Sequence, residues 1–153
     1  MANVNLAGGA NSIPVSVTTI TNTQDAGLEI SFINGHTTDL LQGQLVKLNS
    51  NGELVPISAA TDYPLGTVSV GNIPDARVTV KTHFKQIVRV ATSAAITAGN
   101  FLTSAAFDST KNMNTVTVAA STNHCTYIAL ETVTAAAGTV LIAGELLTPL
   151  IKA

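Results

Sequence analysis

LVKLNSNGELVPISAATDYPLGTVSV, residues 45–70, decides the fold. Two short apolar runs flank Ser50-Asn51-Gly52, and a Tyr63-Pro64-Leu65-Gly66 step leads into a third run. Asn-Gly accepts positive φ at both central positions of a tight turn, so the stretch predicts a hairpin followed by another strand. The pattern continues outward from there: LEISFI before Asn34-Gly35, then RVTVKT, QIVRVA, NTVTVAA, TYIALETV and GTVLIAGELL. Asn34-Gly35 and Asn51-Gly52 thus each predict a tight hairpin. Alternation in Arg77-Val78-Thr79-Val80-Lys81 and Thr115-Val116-Thr117-Val118 is that of strands with one buried and one wet face. One helical turn is expected at Thr38–Leu41, with Thr37 or Thr38 as N-cap and Gly43 beyond its end.

These elements predict an all-β fold, a small β-barrel or β-sandwich of short antiparallel strands. Residues 28–153 read as a single β-domain, and residues 1–27 as an extended N-terminal arm. The arm is small and polar, with Gly8-Gly9 and a β-branched stretch, IPVSVTTI, over residues 13–20. Ile13, Pro14, Val15, Val17 and Ile20 are its candidate contact residues, suited to adding a strand to a partner's sheet edge; a first strand of the chain's own domain is the alternative.

A faint internal echo suggests that the domain is two copies of one β-unit. Gly43-Gln44-Leu45-Val46, Glu53-Leu54-Val55, Tyr63-Pro64-Leu65-Gly66 and Val78-Thr79-Val80 are answered in order later in the chain. Their counterparts are Gly99-Asn100-Phe101-Leu102, Val116-Thr117-Val118, Tyr127-Ile128-Ala129-Leu130 and Val140-Leu141-Ile142, at offsets near 56, 62, 64 and 62.

The composition narrows the function classes. A chain of 153 residues is long enough to bury a core without staples, and a single cysteine, Cys125, forms no internal disulfide. Charged residues make up only 10% of the chain, while Thr and Ser supply 22 and 10 residues. A polar but almost uncharged surface suits a component of an assembly. Residues 1–46 hold three acids and no Lys or Arg, and no basic patch capable of neutralising a run of phosphates follows, so direct nucleic-acid binding is not expected. The longest apolar stretch, Ala135–Ile151, is interrupted by Glu145 and Pro149, and no signal-peptide pattern opens the chain. No membrane partner is expected.

Catalytic chemistry is not indicated, and neither a metal nor a cofactor is predicted. His36, His83 and His124 lie in separate segments without metal-ligand spacing. His124 and Cys125 adjoin, but on a strand neighbours face opposite ways, so Cys125 reads as a small buried hydrophobe. Asp62, Asp75 and Asp108 fall in turn-like sequence, where a carboxylate caps backbone N–H groups. Glu53 and Glu131 read as solvent-facing, and Lys81, His83, Lys85 and Arg89 form a local basic cluster. Phosphate-binding and nucleophile-elbow glycine motifs are absent from the sequence.

The order of the motifs resembles the small capsid decoration, or head cement, proteins of tailed double-stranded DNA phages. The matching residues are Gly43–Val46, Gly52–Ser58, Asp62–Val68, Val78–Val80, Ile96–Gly99 with Leu102, and Tyr127–Gly138. Tyr127 stands where that family more usually has glycine, and the segment before residue 40 is longer. The resemblance implies a structural virion protein that binds the outer surface of an assembled phage capsid and stabilises it. Its partner would be the major capsid protein and its state a homo-oligomer, a trimer being favoured. A virion surface fibre or adhesin domain binding a host-surface glycan is the alternative; six aromatics, none of them Trp, argue against such a site.

Overall fold

The structure, a computed structural model, describes residues 28–82 and 87–153. It is all-β, with ten strands: β1 (Leu28–Ile33), β2 (Leu45–Leu48), β3 (Leu54–Pro56), β4 (Gly66–Val70), β5 (Arg77–Thr82), β6 (Ile87–Thr92), β7 (Phe101–Asp108), β8 (Met113–Val118), β9 (His124–Ala129) and β10 (Thr139–Ile151). The first five form a sheet in the order β1-β5-β4-β2-β3; the last five form a closed barrel, β10-β6-β8-β7-β9. Opened between β6 and β8, the barrel reads β6-β10-β9-β7-β8, the order of the first sheet moved on by five strands. The chain is therefore built from one β-unit used twice.

Register confirms this pair by pair. Leu45↔Thr67 and Val46↔Gly66 become Phe101↔Ile128 and Leu102↔Tyr127. Thr67↔Lys81 and Val68↔Val80 become Ile128↔Gly144 and Ala129↔Ala143. Ile30↔Val80 becomes Val88↔Ala143, and Leu48↔Leu54 becomes Ser104↔Val116. Loop bonds repeat as well. Gly43 N–H donates to Val68 O at 2.8 Å, as Gly99 N–H does to Ala129 O at 2.8 Å. These two glycines hold φ of 89° and 90°, a region that side chains with a Cβ avoid. The echo at offsets 56 and 62 is thus real. At the third element the true counterpart of Gly66 is Tyr127, so the offset is 61 rather than 64; at the fourth, Val80 answers to Ala143, an offset of 63 rather than 62.

The inner faces form two cores. Val46, Leu54, Val68, Val78 and Val80 pack with Leu40 in the first unit. Val90, Ile96, Leu102, Val116, Tyr127, Ala129, Leu141 and Ala143 fill the barrel, together with Leu45 and Ile57 from the first unit. Alternation in β5 buries Val78 and Val80 as the sequence implies. In β8 it ends early: Thr117 and Val118 are both exposed, although Val118 still pairs with Leu102 and Ala119 N–H donates to Phe101 O.

Several expectations are corrected. Asn34-Gly35 is not a hairpin, since β1 pairs with distant β5. The Asn34 amide is instead fully buried, donating to Thr38 O and Asn72 O and accepting from His36 N–H. Gly35 is favoured by packing: a Cβ there would lie 2.7 Å from Glu53 Cβ, an atom held close to its backbone. The Asn51-Gly52 hairpin exists, but its loop runs over residues 49–53 and is knit by Asn49 Oδ1, which accepts from Asn51 and Glu53 N–H. Thr38–Leu41 forms no helical turn; Leu40 bridges to Asn72 because both of its backbone groups find partners there. Strand β7 was not expected, its Thr-Ser-Ala-Ala centre having little β propensity. The strands are also not all antiparallel. The barrel closes through a parallel β6–β8 pair, matched in the first unit by the isolated parallel bridge Asn34↔Leu54.

Candidate interaction face

The two units meet through a joint. Leu45 and Thr67, neighbours on the outer face of the first unit, seat on the barrel. Leu45 enters its core, its N–H donating to Asn114 Oδ1 at 3.3 Å, while Thr67 Oγ1 donates to Glu145 Oε2 at 2.9 Å. Asn114 completes the lock by donating to Gly43 O and to the Tyr127 hydroxyl. Burial, then the Glu145 charge, lifts the Tyr127 phenol well above the usual range against the pull of the Asn114 bond, so it stays neutral. Alongside, His124 Nδ1 donates to Thr61 O and Asp62 O, and its ring meets Tyr63 edge-on at 5.0 Å.

In the second unit the same two positions are Phe101 and Ile128, and they face outward. They begin a row that crosses the barrel: Phe101 on β7, Ile128 on β9, Gly144 on β10 and Ile87 on β6 are paired in turn. The next row holds Leu130, Ile142 and Arg89, with Val140 beyond. Ile87 is 71% exposed, Leu130 47%, and Ile142 and Phe101 40%. A Cβ on Gly144 would come 3.3 Å from Ile128 Cγ2 and 3.8 Å from Leu130 Cδ2, so the glycine lets its neighbours close over the strand. The result is an apolar face bordered by two charges, Arg89 and the exposed Glu131, whose Oε2 accepts from Ile142 N–H at 2.7 Å.

The matching rows of the first unit are polar. Ile87 and Gly144 correspond to Glu29 and Lys81, an ion pair at 3.6 Å. Arg89 and Ile142 correspond to Ser31 and Thr79, whose hydroxyls share a hydrogen bond of 3.2 Å, and Leu130 corresponds to Ser69. Covering an aliphatic side chain that is already half-buried contributes on the order of 1 kcal/mol, so several together favour a partner over water. Faces of this kind mark interaction sites.

The face was legible where runs are apolar at both parities, as in Tyr127-Ile128-Ala129-Leu130 and Val140-Leu141-Ile142-Ala143, against the strict alternation of Arg77–Lys81. The predicted contact residues Ile13, Pro14, Val15, Val17 and Ile20 lie outside the described residues, as do His83 and Lys85 of the basic cluster. Two of the three turn carboxylates, Asp62 and Asp108, cap backbone N–H groups as expected, while Asp75 sits in its turn with a positive φ of 63°. Asp62 accepts from Ser58 N–H, Ala59 N–H and Lys47 Nζ, and Asp108 accepts from Thr110 and Lys111 N–H and from Lys111 Nζ. Burial raises the Asp62 carboxyl, but the Lys47 bond and the two N–H groups outweigh it and leave it below the usual range. Cys125 is buried, which pushes its thiol up. Among the described residues no three His, Cys, Asp or Glu side chains converge. Glu53 sits in the hairpin loop, and exposed Glu131 lies in the bend after β9, accepting from Ile142 N–H at 2.7 Å.

No family model matches the chain and no curated protein matches it. Among solved structures, it is similar to the N base of head fiber gp8.5 in bacteriophage phi29. That likeness has a TM-score of 0.50 at 14% identity and covers 80% of this chain and 98% of that chain. At this identity the likeness is one of fold.

Proposed function

We propose that this protein is a structural component of a tailed-phage virion, bound to the outer surface of the assembled head as a decoration or cement protein. The observation that carries the reading is the apolar face of the second unit, present where the first unit has Glu29–Lys81 and Ser31–Thr79 pairs. The likeness to a head fiber base supports it, as do the motif order over residues 43–145 and the nearly uncharged composition. In this reading the face around Ile87, Ile128 and Ile142 covers the major capsid protein, and the arm residues Ile13, Pro14, Val15, Val17 and Ile20 add a second strip of contact. Binding only the assembled shell stabilises that state by linkage, as any ligand stabilises the form it binds. The protein acts without catalysis and as a homo-oligomer, a trimer fitting a junction between capsomers.

Co-sedimentation with capsids stripped of their outer proteins tests this. Saturable binding with a raised disruption temperature is expected, and Ile142→Asp should abolish it while leaving the protein folded. Wild-type protein that fails to bind the cognate shell would sink the proposal. The likeness to a fiber base favours a second reading, a mount for a fibre: the protein would then bind the shell and leave its disruption temperature unchanged.

A further inference from the structure

The parallel seam, Asn34↔Leu54 in the first unit and β6–β8 in the second, carries a further difference between the two. In the first unit it is filled. A Cβ on Gly35 would meet Glu53 Cβ at 2.7 Å and Asn49 Nδ2 at 3.1 Å, and Lys47 nearby reaches Asp62. The shared register puts Thr103 where Lys47 stands, Ala106 where Asn49 stands and Thr115 where Glu53 stands. All three side chains are shorter, and a cavity of about 360 Å³ opens between β6, β7 and β8. Ala60 of the first unit and the Asp108–Lys111 pair complete its wall.

The lining selects a class of ligand. Ligand sites span about 300–1,000 Å³, so a cavity at the small end holds one ring rather than a chain. Its hydroxyls come from Thr92, Thr103, Thr115 and Thr117, the first two only 4% and 3% exposed. Thr92 Oγ1 accepts from Ala94 N–H and keeps its own proton to give, whereas Thr115 Oγ1 donates to Ala106 O at 3.3 Å and keeps lone pairs to accept. Ala91, Ala105 and Ala106 place methyl groups among them. Asp108 and Lys111 neutralise each other at 3.1 Å, so the wall offers no net charge to an ion. Donors and acceptors set among small apolar patches match a neutral sugar, whose hydroxyls alternate with C–H groups. Among the described residues no aromatic lines the cavity, so hydrogen bonds and shape take the place of stacking.

We propose that this cavity is a site for one neutral monosaccharide unit, the terminal residue of a glycan. The barrel order β10-β6-β8-β7-β9 sets β8 two strands from both β9 and β10, so the cavity opens away from the apolar face. With that face on the capsid, the site points outward from the head. This orientation rests on the capsid reading; the site itself does not. Many copies on one shell turn weak single contacts into firm attachment.

Titration of the isotope-labelled full chain with the methyl glycosides of glucose, galactose, mannose, N-acetylglucosamine and N-acetylgalactosamine, followed by NMR, tests the site. At least one should saturate, in the millimolar range of so small a ligand, with amide shifts confined to the surroundings of Thr92, Thr103 and Thr115. Thr115→Glu and Ala106→Asn, which restore the residues of the first unit, should each weaken binding about tenfold, while Glu53→Thr should leave it unchanged. Glucuronate should bind no better than glucose. Saturation by none of the glycosides, shifts centred elsewhere, or full binding by Thr115→Glu overturns the site, and tighter binding of glucuronate overturns its neutral class. Capsid-bound protein should take the sugar as free protein does. If docking blocks the sugar, the outward orientation fails and the site stands; if wild type does not bind the shell, the capsid reading fails and the titration alone decides the site.

Discussion

The two units share strand order, register and turn bonds, yet they differ along the outward rows that cross β1, β5 and β4 in one and β6, β10 and β9 in the other. Inside, Leu54 answers to Val116 and Val46 to Leu102, all buried. Outside, Glu29, Ser31, Thr79 and Lys81 answer to Ile87, Arg89, Ile142 and Gly144. The inner face is constrained by packing, since a cavity or an overfilled core costs several kcal/mol. The outer face is under no such demand, so it is where two copies of one unit are free to take different tasks. The first uses the Leu45 and Thr67 end of that face to seat on its sister; the second presents the Phe101 and Ile128 end to solvent.

The largest effects should fall on the shared interior. Leu54→Ala and Leu102→Ala, one in each core, should each cost about 3 kcal/mol. Both should lower a single unfolding transition in urea, because Asn114, Glu145 and His124 tie the units together. Two separate transitions, one shifted by each variant, would show that the units fold independently and break the comparison.

Next comes the joint. Asn114→Ala removes the acceptor for Leu45 N–H and the donor to Gly43 O and the Tyr127 hydroxyl, leaving buried groups unpaired. A loss of about 2–3 kcal/mol is expected. Its signature is separation of the two transitions, read by hydrogen exchange.

A smaller effect tests the turn that meets the joint. The Asp62 carboxyl lies below its usual value when folded, so its contribution is present above the unfolded pKa and is lost as pH falls through the folded one. Stability should therefore decline below about pH 4, and Asp62→Asn should flatten that decline at a cost of about 1 kcal/mol at neutral pH.

The smallest change in stability should come from Ile142→Thr, which gives the second unit the residue of the first. Within about 0.5 kcal/mol of wild type, it should still weaken capsid binding. Thr79→Ile should leave binding as it was. Equal effects of the two on binding would mean that the outer faces are not distinguished as described.

Much of this was visible in the residues before any pairing was known. Period-two alternation, Asn-Gly and Pro-Leu-Gly steps and β-branched runs are local signals, and they located nine of the ten strands. β7 escaped because Thr103-Ser104-Ala105-Ala106 has no local preference for a strand; it is held by β8 on one side and β9 on the other. Asn34-Gly35 misled because a buried amide and a close approach to Glu53 call for the same two residues as a tight turn.

By itself, then, the sequence determined an all-β chain with little charge, its inward residues, its turn carboxylates and two true points of internal repetition, Gly43 with Gly99 and Leu54 with Val116. Only the tertiary structure decided that the repeat extends to every strand, that one unit seats on the other, and that Phe101, Ile128, Leu130, Ile142 and Ile87 make one face. The reason is physical: alternation and turn geometry act over a few residues. Which strands become neighbours depends on burial between segments far apart in the chain, and an outward residue acquires its meaning only from those neighbours.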